Sequence, residues 1–201
     1  MKKILTIGAT VMIIAALAIG STLAFLTGKT DALENKFLFD GITLELNEYK
    51  DTGHQEAYPE DPQVVYPGAV VDKVPVITVD KGSLDCYVYV QIENGLNTAV
   101  DGATTLDISK DWTPIKKGYD IYRYKEVVQK ADTAQKLTDI FTKVTVNGEK
   151  VTMENIAKLQ DSQITIQGFA HQANGTGDTE AERQAFADQA ALTYFATPVN
   201  P

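Results

Sequence analysis

Two histidines and one cysteine, His54, His171 and Cys86, are all this chain offers of the side chains that bind zinc most readily. None stands at His-Glu-x-x-His or Cys-x-x-Cys spacing, and two isolated imidazoles do not make a three-ligand zinc site. Oxygen chemistry has one candidate place, the acidic loop over residues 48–61. Its Asp51, His54, Glu56, Glu60 and Asp61 could supply calcium ligands, but the loop lacks the ordered spacing and the glycine placement of a calcium loop. We read it as a solvated charged loop. Asp178, Glu180 and Glu182 read as the negative first turn of a helix, favoured by its dipole. Cys86 lies in the apolar run Cys86-Tyr87-Val88-Tyr89-Val90 and reads as a small buried hydrophobe. As the only cysteine, it leaves no internal disulfide. The expectation is a protein that is not an enzyme and carries no catalytic residue, cofactor or metal.

The chemistry most clearly written in the sequence is done to the chain. Lys2 and Lys3 precede an apolar run of 17 residues, 4–20, followed by Ser21-Thr22-Leu23-Ala24-Phe25. A basic start, an apolar core and a small residue at a cut site form an export leader. Cleavage after Ala24 leaves Phe25 as the new N-terminus. The alternative is an uncleaved anchor, because 17 apolar residues stand at the short edge of what spans a bilayer core of roughly 30 Å.

Residues 25–201 suffice for one domain of ordinary size. The full chain carries 27 acidic against 18 basic side chains, a formal charge of −9, and the leader removes two lysines and no acid. That balance argues against nucleic acid and anionic lipid as partners, since both reward clustered Lys and Arg. It confines contact with the membrane to the leader before cleavage.

Past residue 37 the apolar pattern repeats every second residue, as in half-buried strands. Ile42, Leu44 and Leu46 share one face of a first strand. Residues 74–79 follow the turn Pro67-Gly68, and Pro75 suggests an edge or the start of a strand. Residues 86–93 are the most strand-prone, with Cys86, Val88, Val90 and Ile92 on one face and Tyr87, Tyr89 and Gln91 on the other. Further strands are expected over 119–124, 141–146 and 164–171. Asn147-Gly148 reads as the tip of a hairpin over 143–152. Short helices are expected over 133–140 and 153–159, and a longer one from Thr179, where Thr179-Glu180-Ala181-Glu182 has capping-box spacing. The fold class is therefore mostly β: an antiparallel β-sandwich of jelly-roll type with a few short helices, one near the C-terminus. Asn174-Gly175-Thr176 reads as a turn rather than a glycan acceptor. Tyr87, Tyr89, Tyr119, Tyr122, Tyr124, Tyr194 and Trp112 could line a saccharide or partner surface, and cross-strand packing explains most of them more simply.

Several segments, in order, resemble the camelysin/TasA family of exported biofilm-matrix proteins. They are Gly20-Ser21-Thr22-Leu23-Ala24-Phe25-Leu26-Thr27 at the leader junction, Asn35-Lys36-Phe37, and Gly41-Ile42-Thr43-Leu44-Glu45-Leu46. Tyr66-Pro67-Gly68 follows, then Lys73-Val74-Pro75-Val76-Ile77-Thr78-Val79 with Gly82, Tyr87-Val88-Tyr89-Val90, and Ile164-Thr165-Ile166-Gln167-Gly168-Phe169-Ala170-His171-Gln172-Ala173. The junction departs from the family in carrying Leu23-Ala24 where an aromatic-Ala pair is usual, which bears on which peptidase cuts it. The resemblance implies a jelly-roll subunit of an extracellular fibre or surface layer, cut by a signal peptidase, self-associating, with accessory matrix proteins as further partners. It also implies that the segment after the cut can donate a strand to a neighbour. Here that segment is 25–39, with Phe25, Leu26, Leu33, Phe37, Leu38 and Phe39 as its spaced apolar residues. Two other readings stand beside it: residues 37–39 open the protein's own first strand behind a loose tail, or the protein is a monomeric adhesin or saccharide-binding sandwich. A metallopeptidase, the activity with which the camelysin branch has been grouped, is a weaker reading because the ligand motif is missing.

Overall fold

Alternation of β-branched and aromatic residues with polar ones builds ten strands in the computed structural model, which describes residues 41–59 and 64–196. The leader, the Ala24–Phe25 junction and the apolar residues Phe25, Leu26, Leu33, Phe37, Leu38 and Phe39 lie outside the described residues, as do Glu60 and Asp61.

One layer of the sandwich has the order β10 (Ile164–Gln172), β4 (Cys86–Asn94), β7 (Ile121–Tyr124), β6 (Trp112–Pro114). The other contains two three-stranded sheets: β1 (Leu44–Tyr49), β3 (Val74–Val79), β8 (Gln135–Lys136), and β2 (Val70–Asp72), β9 (Lys143–Val146), β5 (Thr104–Leu106). All pairings are antiparallel. The two sheets of this second layer run into each other. Lys73 alone separates β2 from β3, and its N–H donates to Thr142 O at 3.1 Å. The N–H groups of Leu137 and Ile140 donate to Ile77 O and Pro75 O, each at 2.9 Å, so residues 137–143 track β3 back to β2. The layer therefore reads as β1, then β3 with β2, then β8 with β9, then β5. The chain crosses between layers at most connections, the winding of a jelly roll.

β4 is the spine. Cys86, Val88, Val90 and Ile92 face the core between the layers with Ile77, Val79, Trp112, Ile140 and Phe141. Tyr87 and Tyr89 point the opposite way and are buried under Ala187 and Ala191 of the C-terminal helix. The alternation read from sequence is thus observed, but both faces are covered over this stretch. That helix, α2 (Glu180–Ala196), starts with the expected capping box. Glu182 N–H donates to Thr179 Oγ1 at 3.2 Å, and Thr179 N–H donates back to Glu182 Oε2 at 3.0 Å. Pro67-Gly68 forms its turn, with Gly68 at φ 87° and Ala69 N–H on Tyr66 O at 2.9 Å.

Pro75 stands at the second position of β3, the strand-entry place that is one of its two expected positions, and there its carbonyl accepts the Ile140 N–H at 2.9 Å. Three expectations are corrected. Residues 133–140 form no helix, because pairing with β3 occupies their backbone instead. The 143–152 hairpin does not form: β9 is already flanked by β2 and β5, leaving no side for a returning strand. Asn147 Oδ1 accepts from the N–H groups of Glu149 and Lys150 at 2.9 and 3.2 Å, coiling the chain away. Over 153–159 only a 3-10 turn, Ile156–Leu159, is present. A short helix, α1 (Gly95–Ala99), has no counterpart in the sequence reading.

Candidate functional site

A sheet edge is a row of unpaired backbone donors and acceptors, and most sandwiches blunt such rows. The edges differ sharply here. At β5 the side-chain amide of Asn97 imitates a neighbouring strand: Thr104 N–H donates to Asn97 Oδ1 at 2.7 Å, and Asn97 Nδ2 donates to Thr104 O at 3.0 Å. β6 has three residues and ends in Pro114, which has no N–H. β2 is equally short and ends in Asp72. β1 carries Glu45 and Glu48, and the following loop folds back on it, with Tyr58 N–H donating to Glu48 O at 2.8 Å.

β10 is treated differently. It has nine residues, Ile-Thr-Ile-Gln-Gly-Phe-Ala-His-Gln, without a proline, lysine or acid. One side pairs with β4 along its whole length. Among the described residues its other side has no backbone partner. At Gly168 the layers pinch together: a Cβ there would stand 3.2 Å from Ile77 Cδ1 and 3.7 Å from Leu44 Cδ1. At its Ile164 end β10 opens on a groove of about 450 Å³, where Gln163 and Ile164 meet Val65, Val71, Val144 and Val146. Lys73 and Tyr58 close its far wall, the ammonium 4.1 Å from the ring centroid and ion-paired to Glu48. Burial, with the Glu48 carboxylate, pushes the Tyr58 hydroxyl above its usual range, so it stays a neutral hydrogen-bonding group. Around this groove Val64 is 98 % exposed and Tyr66 69 %, a concentration of large apolar side chains in water. An edge for backbone pairing beside a groove for apolar side chains is what an incoming strand requires.

Asp51 Oδ2 accepts the Glu56 N–H at 3.1 Å, Glu56 pairs with Lys50, and His54 turns away to Asp139, Nε2 to Oδ1 at 2.6 Å. No group of three His, Cys, Asp or Glu among the described residues could hold a metal ion. Cys86 is fully buried, and burial with the nearby Asp85 charge pushes its thiol up to about 11. His171 Nδ1 lies 2.9 Å from Gln172 O, and its ring meets Phe186 edge-on. Glu182 accepts the N–H groups of Thr179 and Asp178, which hold its carboxyl below the usual range. Asn174, in a bend, donates to Asp85 Oδ2 at 3.3 Å. Trp112 packs on Tyr124, and Tyr89 and Tyr194 pack on Phe169; Tyr119 and Tyr194 remain exposed. Comparison with family models, curated proteins and solved structures returns no match for this chain.

Sequence reasoning missed a network that fixes α2 to the sheet. Asp188 Oδ1 accepts from Tyr89 Oη at 2.9 Å and from Arg123 NH1 at 2.7 Å. Its members come from three distant segments, and no local spacing announces them.

Proposed function

We propose that this chain is an exported structural subunit of an extracellular fibre or surface layer, of the biofilm-matrix kind, assembling by strand addition once its leader is cut. The observation that carries the reading is β10, a nine-residue edge without lysine or acid beside a groove whose lining includes Val65, Val71, Val144, Val146 and Ile164, while β5, β6 and β1 are blocked or charged. The donor is residues 25–39 of another copy. Fifteen extended residues reach about 50 Å, ample for a neighbouring subunit. Their apolar residues Phe25, Leu26, Leu33, Phe37, Leu38 and Phe39 are the side chains a groove lined by Val71, Val144, Val146 and Ile164 would accept. A leader still held in the membrane restrains the donor, so cleavage after Ala24 is the assembly switch. The signal peptidase is then the first partner, and other copies and accessory matrix proteins follow outside the cell.

The test compares three proteins starting at or after Phe25: the mature chain, a chain lacking residues 25–35, and a Thr165→Lys/Gln167→Lys variant that charges the β10 edge. Filaments by electron microscopy are expected only from the first, with all three folded by circular dichroism. Filaments from the truncated chain would eliminate 25–35 as donor. Filaments from the lysine variant would move the acceptor away from β10.

A further inference from the structure

β7 begins at Ile121, opposite Gln91, whereas β4 continues to Asn94 before turning into α1. The unequal lengths leave a notch beside the end of β4. The Ile92 N–H donates to Asp120 O at 2.9 Å, and just before that residue the chain turns out through Gly118 and Tyr119. The concavity has a volume of about 770 Å³, and its side chains include Gln91, Glu93, Asn97, Thr98, Tyr119 and Asp120.

Two kinds of side chain line it. Asn97 is committed to Thr104, and Thr98 Oγ1 donates to Asn94 O at 3.2 Å, so these build a fixed wall. Gln91, Glu93 and Asp120 make no side-chain hydrogen bond or ion pair among the described residues, although they border one notch. Beside them the Tyr119 ring is 46 % exposed and is braced by the Lys116 ammonium, 4.2 Å from its centroid. Hydrophobic burial would fold such a ring onto the sheet; here the turn and the lysine hold it out.

We propose that this notch is a saccharide subsite for an amino-bearing hexose within a glycan, distinct from the strand-addition edge. An exposed aromatic face stacks against the C–H face of a pyranose. An amide supplies both donor and acceptor to ring hydroxyls, and carboxylates, which only accept, take paired hydroxyls or an ammonium. Two unpartnered carboxylates in a chain of net charge −9 disfavour phosphate- or uronate-bearing polymers and favour a free amine. The subunit would then carry its own means of attaching to the polysaccharide around it.

Saturation-transfer difference NMR on the mature chain reads binding whether the protein is monomeric or assembled, so the outcome is independent of the strand-addition reading. The probes are a glucosamine tetramer, its fully N-acetylated counterpart and a galacturonate oligomer. Transfer is expected to the glucosamine tetramer, weaker transfer to the acetylated one and none to the uronate. Tyr119→Ala should weaken glucosamine binding by about tenfold, and Glu93→Gln with Asp120→Asn should abolish the preference for the free amine. Thermal melts of these variants at surface positions should match the parent. Equal binding by Tyr119→Ala would reduce the effect to attraction of a polycation by an acidic protein, and no transfer from any probe would remove the site. Both results overturn the proposal.

Discussion

Asp188 ties the C-terminal helix to the sheet beneath it. Its carboxylate receives the hydroxyl of Tyr89, a residue with no exposed surface, and the guanidinium of Arg123, and so joins α2, β4 and β7 at one point. Burial, and then the Asp188 charge, pushes the Tyr89 hydroxyl far above its usual range, which keeps it a donor at every physiological pH. Asp188→Ala leaves that hydroxyl without its acceptor under a helix and the guanidinium with the Gln184 side-chain oxygen in place of a carboxylate. The side chains of the ion pair retain 17 % and 24 % exposure, so solvent offsets part of the loss, and we expect a cost of about 2 kcal/mol in urea unfolding. Tyr89→Phe, which removes one hydrogen bond and leaves the ion pair, should cost about 1 kcal/mol. Cys86 makes a complementary prediction. With its thiol buried and pushed up to about 11, it should resist an aromatic disulfide reagent at about pH 8 and titrate as one thiol on denaturation. Fast reaction of the native protein would mean that β4 opens to solvent.

Elements are held by contacts that range from the fully local to the wholly non-local, and legibility in the sequence follows that range. The start of α2 is local: Thr179 and Glu182 stand three residues apart, and the capping box was readable. Thr179→Ala should cost about 1 kcal/mol, measured by the same unfolding curves. Strand positions were readable too, because Val, Ile and Tyr alternate along β4 whatever lies around them. What fills the two sides of a strand was not readable. Residues 143–152 have the composition of a hairpin, yet β9 has both neighbours supplied from 70–72 and 104–106. The free edge of β10 was likewise illegible, since an edge is defined by the strands around it and not by its own residues. Asp107, just beyond β5, ties that strand to β9 by accepting the N–H groups of Thr142 and Lys143 at 2.8 and 2.7 Å and the Thr142 hydroxyl. Partial burial opposes its charge, but these hydrogen bonds prevail and hold its carboxyl below the ordinary 3.8. A carboxyl whose folded value lies below its unfolded one stabilises fully above the unfolded value, and that contribution fades as pH falls through the folded value. The urea midpoint of the parent should therefore fall more steeply than that of Asp107→Asn between about pH 5 and about pH 2. Parallel curves would mean that the carboxylate is not what pins β5.

At the scale of the whole molecule the protected core and the open edge meet along one strand pair. β4 is covered over much of both faces, and it is flanked along its length by β10 and in part by β7, so its amides should open only with global unfolding. β10 shares its inner ladder with β4, while alternate N–H groups on its outer side meet no partner among the described residues. Hydrogen exchange on the chain lacking residues 25–35, at a concentration where it stays monomeric, should therefore divide β10 into an alternating pattern of slow and fast amides across 164–172. In the mature chain under assembling conditions the fast set should become slow and the slow set should not change, because strand addition supplies acceptors to one side only. An assembly that instead packs sandwich against sandwich through side chains would leave the alternation intact and protect surface patches elsewhere. If residues 37–39 of the same chain already lie against β10, the outer amides would be slow in the monomer that retains them and independent of protein concentration. Concentration dependence of that alternate set is thus the signature that separates strand exchange between copies from a strand the chain keeps for itself.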